Sequence, residues 1–125
     1  MFTKLHKEVS AIGCVDRTWG SYIVLDNVKD RNDIIHRQKL LIVNPNTKMQ
    51  LHKHINYTEL WIGESKFKYV VEDEYGNLDI KSAKPFERVF VPKNRKHQII
   101  SNDIELRIFE IQTGLIIDDD NIKFD

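Results

Sequence analysis

The sequence predicts an all-β fold formed by a single domain. Its apolar segments are short and rich in Val, Ile, Phe and Tyr, residues that pack well on a pleated sheet. Turn-forming residues separate these segments at fairly even intervals, and no stretch keeps the 3.6-residue period of an amphipathic helix. Many short strands at even spacing are typical of a β-sandwich or a closed barrel, and the jelly roll is one such architecture.

Nine segments are predicted as strands: residues 21–25, 34–43, 48–54, 59–62, 66–72, 78–81, 88–91, 97–101 and 104–112. The turn at residues 44–46 favours a positive φ at Asn46, and the hairpin loop at 73–77 favours one at Gly76. Further turns are expected at 92–95 and 102–103. The best candidate for a helical turn is the segment 118–123.

The amino-acid composition indicates an ordinary globular domain and bears on its ligands and cellular compartment. The chain has 125 residues, of which 41% are hydrophobic and 30% are charged, as in an ordinary globular domain. Basic and acidic residues both number 19, so the formal net charge is zero and no nucleic-acid-binding surface is expected. The single cysteine, Cys14, excludes an internal disulfide. Residues 1–9 lack the apolar core of a signal peptide, and no apolar run is long enough to span a membrane. We therefore expect a cytoplasmic protein, and the lack of net charge permits a homodimer.

Four potential metal ligands occur in an ordered pattern. His52 and His54 are separated by one residue on a predicted strand, so their side chains point to the same face. Glu59 follows on the next strand, and His97 begins a later one. Three imidazoles and a carboxylate suit one divalent ion of Zn, Mn, Fe, Ni or Co and are too rich in nitrogen for Ca or Mg. Gln50 shares the face and is predicted as a fifth ligand or as a donor that fixes a histidine tautomer.

The alternative is that His52 and His54 lie on the surface of a half-exposed strand and that His97 is an ordinary turn residue. A single HxH pair is too common by chance to decide between these interpretations. The glutamate at a set distance and the later turn that leads from Pro92 to a histidine make coincidence the weaker explanation. The sequence therefore predicts a metal site.

This pattern resembles the two motifs of the cupin superfamily. Residues 46–59 resemble the first motif, a glycine followed by HxH and a glutamate, and residues 92–97 resemble the second, PxGxxH. Asn46 and Asn94 stand where the family has glycine, and asparagine tolerates positive φ better than most residues. Lys66 replaces the glycine that usually ends the first motif. The resemblance implies one cupin jelly-roll β-barrel over residues 1–125, with a metal held by His52, His54, Glu59 and His97.

A narrower resemblance, to the cupin domain of type II mannose-6-phosphate isomerases, covers most of the chain. It rests on Lys39, the acidic ending at 118–124 and the segments RTWGSY (17–22), NP (44–45), QLHKH (50–54), ELW (59–61) and EIQTG (110–114). In that family the domain usually follows a guanylyltransferase, whose glycine-rich nucleotide signature is absent from this sequence. No nucleotidyl transfer is therefore predicted.

The resemblance implies an aldose–ketose isomerase acting on a small sugar phosphate such as mannose-6-phosphate. The candidate proton-transferring residues are Lys39, Glu110 and Lys53. The candidate substrate-binding residues are Arg17, Tyr22, Gln50 and Gln112. Where the family carries an arginine two residues before the motif glutamate, this chain has Tyr57. We therefore expect weak or absent isomerase activity, with any phosphate-binding cation supplied by Arg17, Arg37, Lys39 or Lys53.

Several alternatives remain open from the sequence. The protein is either an isomerase, a non-catalytic metal- and sugar-binding cupin, or another cupin metalloenzyme such as a dioxygenase, because one ligand set supports several chemistries. Lys39 faces either the interior or solvent, and Glu110 and Gln112 line either the barrel mouth or its outside. Core or rim packing is expected of Trp19 and Trp61, and a sugar-stacking platform is the alternative.

The remaining polar residues receive no site role. Cys14 lacks a partner motif, and His6 and His36 lie outside the metal pattern. The acidic run 118–120 is expected to begin a helix or to form a solvated turn.

Overall fold

The structure, a computed structural model, describes residues 14–124. This part of the chain contains eleven strands and no helix, and hence no helix able to span a membrane. The strands are β1 (Val15–Arg17), β2 (Gly20–Asp30), β3 (Asp33–Val43), β4 (His52–Lys53), β5 (Tyr57–Gly63), β6 (Phe67–Val71), β7 (Ile80–Ala83), β8 (Arg88–Val91), β9 (His97–Ile100), β10 (Leu106–Gly114) and β11 (Ile122–Lys123).

The strands form two antiparallel sheets. The first has six strands in the order β1-β2-β3-β10-β5-β8, and the second has five in the order β11-β4-β9-β6-β7. Strand β10 pairs with both β3 and β5, and β9 pairs with both β4 and β6, so that neighbours in space are distant in sequence. This arrangement confirms the predicted all-β jelly-roll barrel.

The apolar core lies between the two sheets. Its buried members come from both of them and are Leu41, Val43, Met49, Trp61, Phe67, Ala83, Val89, Val91, Ile99, Leu106 and Ile108. Burying a side chain of this size typically contributes about 1.5–3 kcal/mol, so this cluster is the main source of stability for the barrel.

The inward-facing positions change from apolar to polar along the strands. On β10, Leu106 and Ile108 are followed by Glu110 and Gln112, and all four are buried. The register of β3 and β5 against β10 places their own polar inward positions at the same level: Arg37, Lys39, Tyr57 and Glu59. One end of the barrel interior is therefore apolar core, and the other end is a polar cavity.

The structure corrects three details of the predicted elements. Strands β1 and β11, which have three and two residues, were not predicted, because segments so short carry no readable alternation. In the predicted strand 48–54 only β4 is regular, while Lys48 forms an isolated bridge with Ile100. The predicted helical turn at 118–123 is wrong, because this segment forms a turn and then β11, which pairs with β4.

The predicted turn conformations are confirmed. The φ angles are +52° at Asn46, +58° at Asn94 and +85° at Gly76. Asparagine therefore supports the positive φ at both turns where the motifs that these segments resemble have glycine. His6 and residues 1–9 lie outside the described residues.

Candidate metal centre

His52, His54, Glu59 and His97 converge inside the barrel, where their candidate ligand atoms all lie within 4.8 Å of one another. Both sheets contribute, because His52 of β4 pairs in register with His97 of β9, whereas Glu59 belongs to β5 of the other sheet. The imidazole centroids of His52 and His97 are 4.2 Å apart. That of His54 lies 5.1 Å from His52 and 5.0 Å from His97. The four side chains thus form one compact cluster.

Backbone carbonyls fix the tautomer of all three histidines. In each ring Nδ1 donates to a carbonyl oxygen: His52 to Gln50 at 2.9 Å, His54 to Asp120 at 2.6 Å and His97 to Arg95 at 2.8 Å. Because a carbonyl can only accept, each Nδ1 carries the proton and each neutral ring presents a lone pair on Nε2. Metal-binding histidines are usually oriented in this way.

The donor atoms at the centre of the cluster fit a bound cation. Glu59 Oε1 and His97 Nε2 lie 3.1 Å apart and are buried, yet neither has a hydrogen-bond partner among the described residues. Two lone pairs at this separation repel each other unless a proton or a cation lies near both. The second oxygen of Glu59 accepts a hydrogen bond from Gln112 Nε2 at 2.9 Å. The chemistry of these donors therefore fits a bound divalent metal ion.

The protonation states of the cluster also suit metal binding. Burial lowers the pKa of His52 to about 4, and burial lowers the pKa of His54 as well. Burial by itself would raise the pKa of Glu59, but a proton on His97 or on another imidazole of the cluster would attract the carboxylate, and this attraction holds that pKa below its ordinary value. Neutral imidazoles and an ionised carboxylate are the forms that bind metals.

A second buried carboxyl group, that of Glu110, lies beside the cluster. Its Oε2 accepts a hydrogen bond from Trp61 Nε1 at 3.1 Å, and its Oε1 accepts one from Gln112 Nε2 at 3.1 Å. Burial raises the pKa of Glu110, and the negative charge of Glu59 raises it further. The Gln112 amide therefore bridges two carboxyl groups whose pKa values move in opposite directions.

His52, His54 and Glu59 line a cavity of about 630 Å³. Its wall also includes Tyr22 and two cationic side chains that lie over the Tyr22 ring. Lys39 Nζ lies 4.2 Å from the centroid of the Tyr22 ring, and the Arg17 guanidinium lies 5.2 Å from it. Cations are attracted to the face of an aromatic ring in this arrangement. The cavity can hold a small molecule, and its positive wall favours an anionic one.

The C-terminal segment holds the cluster in place. The Asp120 carboxylate accepts hydrogen bonds from the backbone nitrogens of Ile55 and Asn56, both at 2.8 Å. The Asp120 carbonyl accepts the hydrogen bond from His54, so one residue fixes both a ligand and the turn that follows it. Sequence reasoning missed this role because Asp120 is 66 residues from His54 along the chain.

Tyr57 supports the same histidine from another side. Its ring stacks on the His54 imidazole, with centroids 4.4 Å apart and planes 19° apart. Its hydroxyl oxygen lies 2.9 Å from His54 Nδ1 and is a second acceptor for that N–H group. Burial raises the pKa of Tyr57 above its ordinary value, so the phenol stays protonated. Sequence reasoning had identified this position only as the place of a missing arginine.

The sequence matches the family described as "Mannose-6-phosphate isomerase C-terminal" over residues 4–125. The chain belongs to this family. No curated protein sequence matches this cupin.

Solved structures share the fold of this cupin at low sequence identity. Protein SO0799 from Shewanella oneidensis has a TM-score of 0.75 at 12% identity, with 96% of this chain and 84% of that chain covered. Oxalate decarboxylase from Bacillus subtilis has a TM-score of 0.77 at 12% identity, with 93% of this chain covered. The chain spans only 31% of the oxalate decarboxylase chain. At this identity the likeness shows the cupin fold alone.

Most residues that the sequence analysis selected meet in the cavity of this cupin. Besides three of the ligands, the cavity is lined by Arg17, Tyr22, Arg37, Lys39, Gln50, Glu110 and Gln112. Gln50 acts on the His52 tautomer through its backbone carbonyl, while its side-chain amide donates to the Phe124 carbonyl at 3.3 Å. The interior alternative is thus the observed one for Lys39, Glu110 and Gln112.

Lys53 is placed apart from the other candidates. It alternates with His52 on β4, so its side chain points away from the cluster. Its Nζ lies 5.7 Å from the centroid of the Phe124 ring, and the residue does not line the cavity. A proton-transferring role for Lys53 therefore has no support in the geometry.

The burial and contacts of the residues outside the site agree only partly with those expected from the sequence. Trp61 belongs to the core and Trp19 packs against it, as predicted. Cys14 is exposed, and His36 is half-buried with its Nε2 3.1 Å from Gln38 Nε2. The acidic run 118–120 lies in a turn, but Asp118 and Asp120 contact residues of the site, through Arg37 and His54, and only Asp119 is merely exposed.

Proposed function

We propose that this cupin is a metal-dependent sugar-phosphate isomerase of the mannose-6-phosphate/fructose-6-phosphate class. The observation that carries the proposal is the polar end of the barrel, where the metal cluster, Glu110 and Lys39 share one cavity. The family match supports the substrate class. The metal would be a single ion of Zn, Mn, Fe, Ni or Co held by His52, His54, Glu59 and His97.

Aldose–ketose isomerisation moves a proton between two adjacent carbons, so it needs a polarised carbonyl and a group that accepts and returns the proton. When bound, the ion would supply the polarisation and would stabilise the negative charge that develops on the substrate oxygens. We assign the proton transfer to Glu110, since Glu59 is occupied as a ligand. Each carboxyl oxygen of Glu110 accepts one hydrogen bond and retains a lone pair for the moving proton.

Other cavity residues would bind and orient the sugar phosphate. Lys39 pairs with Glu110 across β3 and β10, where its ammonium group can hold an oxygen of the substrate beside the proton-transferring carboxyl. Arg17 and Tyr22 would contact the substrate from the cavity wall. Gln50 would donate to its hydroxyl groups through Nε2, and Gln112 would accept from one through Oε1, because both N–H groups of Gln112 are already donated to Glu59 and Glu110.

The test is an assay of mannose-6-phosphate and fructose-6-phosphate interconversion after loading with each of the five metals. Glu110→Gln keeps the shape of the side chain but cannot carry the proton, so kcat should fall about 10²- to 10⁴-fold. Its metal content should be unchanged. The matched control is Glu74→Gln, at an exposed residue of the loop between β6 and β7. Equal rates in these two variants would contradict the role of Glu110, and no interconversion with any metal would exclude the isomerase.

Tyr57 favours a second candidate, a metal- and sugar-binding cupin without turnover. Its phenol occupies the position of the family arginine, and it cannot form the paired hydrogen bonds that a guanidinium makes with a phosphate. This candidate predicts that mannose-6-phosphate binds without being converted. Calorimetric titration beside the turnover assay distinguishes the two functions.

We also propose a cytoplasmic homodimer in which residues 1–125 form one domain. The single cysteine needs no oxidising compartment. The strand β1 forms one edge of the six-stranded sheet, and the zero net charge gives no long-range repulsion between copies. Light scattering should report the mass of two chains, and the mass of one chain at high concentration would contradict the dimer.

A further inference from the structure

Arg37 places a buried guanidinium in the wall of the cavity. Its side chain is only 11% exposed, although arginine is seldom buried without strong partners. Its Nε donates to Asn27 Oδ1 at 2.8 Å, and its Nη1 donates to Asp118 Oδ1 at 3.0 Å. The bond to Asn27 fixes the plane of the guanidinium. A fixed guanidinium can bind a phosphate through two parallel hydrogen bonds.

The carboxylate that now contacts this guanidinium is replaceable. The Asp118 side chain is 87% exposed, and an ion pair with an exposed partner contributes little to stability. The tail is held independently by Asp120, whose carboxylate accepts hydrogen bonds from Ile55 and Asn56. Asp118 can therefore leave Arg37 by rotating its own side chain, while the rest of the tail stays in place.

Arg37 also lies in line with the metal cluster. The sheet register pairs Arg37 with Gln112 and Gln112 with Glu59, and all three residues line the cavity. Because neighbouring strands are about 4.8 Å apart, the backbones of Arg37 and Glu59 are separated by about 10 Å. An extended sugar phosphate with its carbonyl end at the cluster can span this separation.

We propose that Arg37 is the phosphate-binding residue of the cavity and that the Asp118 carboxylate occupies this subsite until a phosphate group displaces it. The identification of the ligand as a sugar phosphate rests on the proposed function. Asp118 is then an internal competitor that lowers the affinity of the cavity for anions. This arrangement supplies a guanidinium that Tyr57 does not.

The experiment uses inorganic phosphate, titrated calorimetrically into the full chain at low ionic strength, both loaded with metal and after chelation. Asp118→Asn should bind phosphate about fivefold more tightly than the wild type, which is the equivalent of a partly exposed ion pair. Asp119→Asn removes the same charge from the exposed neighbour and should change the affinity less than about twofold. Arg37→Lys keeps the charge but loses the planar donor geometry, so binding should weaken about tenfold or more.

Equal phosphate affinity in Asp118→Asn and Asp119→Asn would overturn the proposal, and so would wild-type affinity in a folded Arg37→Lys protein. Phosphate binding that disappears on chelation and is unchanged by Asp118→Asn and by Arg37→Lys would show that the phosphate binds to the metal. That result would also overturn the proposal. Metal content should be the same in all four proteins, because none of the altered residues is a ligand.

This inference and the proposed function can fail separately. Tighter phosphate binding by Asp118→Asn without any sugar-phosphate interconversion would exclude the isomerase and leave the subsite standing. Interconversion with an unchanged KM and unchanged phosphate affinity in Arg37→Lys would exclude the subsite and leave the isomerase standing.

Discussion

The substitution His52→Ala should remove most of the stabilisation that a bound metal gives to the barrel. The wild-type cluster is preorganised, because carbonyls hold all three imidazoles with Nε2 turned toward Glu59. At a metal concentration one hundred times Kd, binding to the native state alone stabilises it by about 2.7 kcal/mol. For a chain of 125 residues, the usual unfolding entropy converts this into a rise in Tm of about 10 °C.

Loss of a site contact weakens metal affinity about 10- to 100-fold. At the same metal concentration the stabilisation of His52→Ala would then be about 0.4–1.4 kcal/mol, and the rise in Tm about 2–5 °C. Differential scanning calorimetry of chelated and metal-loaded protein measures both shifts. The control is His36→Ala, since His36 lies outside the cluster and should leave the full shift in place.

Two results would refute this reasoning. The first is a full metal-induced rise in Tm for His52→Ala. The second is a wild-type protein that carries no metal by elemental analysis and shows no rise in Tm with added Mn, Fe, Ni, Co or Zn. Either result would mean that the four side chains are not a metal site.

Four further predictions follow from the contacts around the cluster. In a calorimetric titration, Asp120→Ala should bind metal about tenfold or more weakly than Asp119→Ala. The loss of the Asp120 carboxylate loosens the turn after His54 and the backbone carbonyl that accepts from His54. Equal metal affinities in the two variants would contradict this role of Asp120. Gly114→Ala should destabilise the protein by about 1–3 kcal/mol in urea unfolding, because φ is +134° and a Cβ atom would overlap the Asn56 carbonyl oxygen; a loss below about 0.5 kcal/mol would show that the backbone adapts. Tyr57→Arg, which restores the residue of related isomerases, should raise any measured isomerase rate, and an unchanged rate would leave Tyr57 without catalytic consequence. In chelated protein, the free energy of unfolding should fall as the pH drops from about 6.5 toward 4. The reason is that His52 takes up a proton in the unfolded state but not in the folded state, where burial lowers its pKa to about 4. His52→Ala should make this decrease smaller, and an equal decrease in both proteins would exclude His52 as its source.

The sequence by itself was sufficient for the fold class and for selecting the four candidate ligands that the structure brings together, because both depend on local patterns. Side chains alternate along a strand, so His52 and His54 must share a face wherever that strand lies. The turns at Asn46 and Asn94 depend on the conformational tolerance of single residues, and their positive φ angles could be predicted for the same reason.

The alternation of side chains along a strand does not show which face of the strand turns inward. Only the tertiary structure decided this. Glu110 faces the cavity because β10 lies between β3 and β5. The side chain of Lys53 lies outside the cavity, because β4 turns the neighbouring His52 inward. The contacts of Asp118 with Arg37 and of Asp120 with His54 join residues 81 and 66 positions apart. Such pairs form only because the tail returns to a particular edge of the barrel, and no pattern within a few residues of either partner encodes that path.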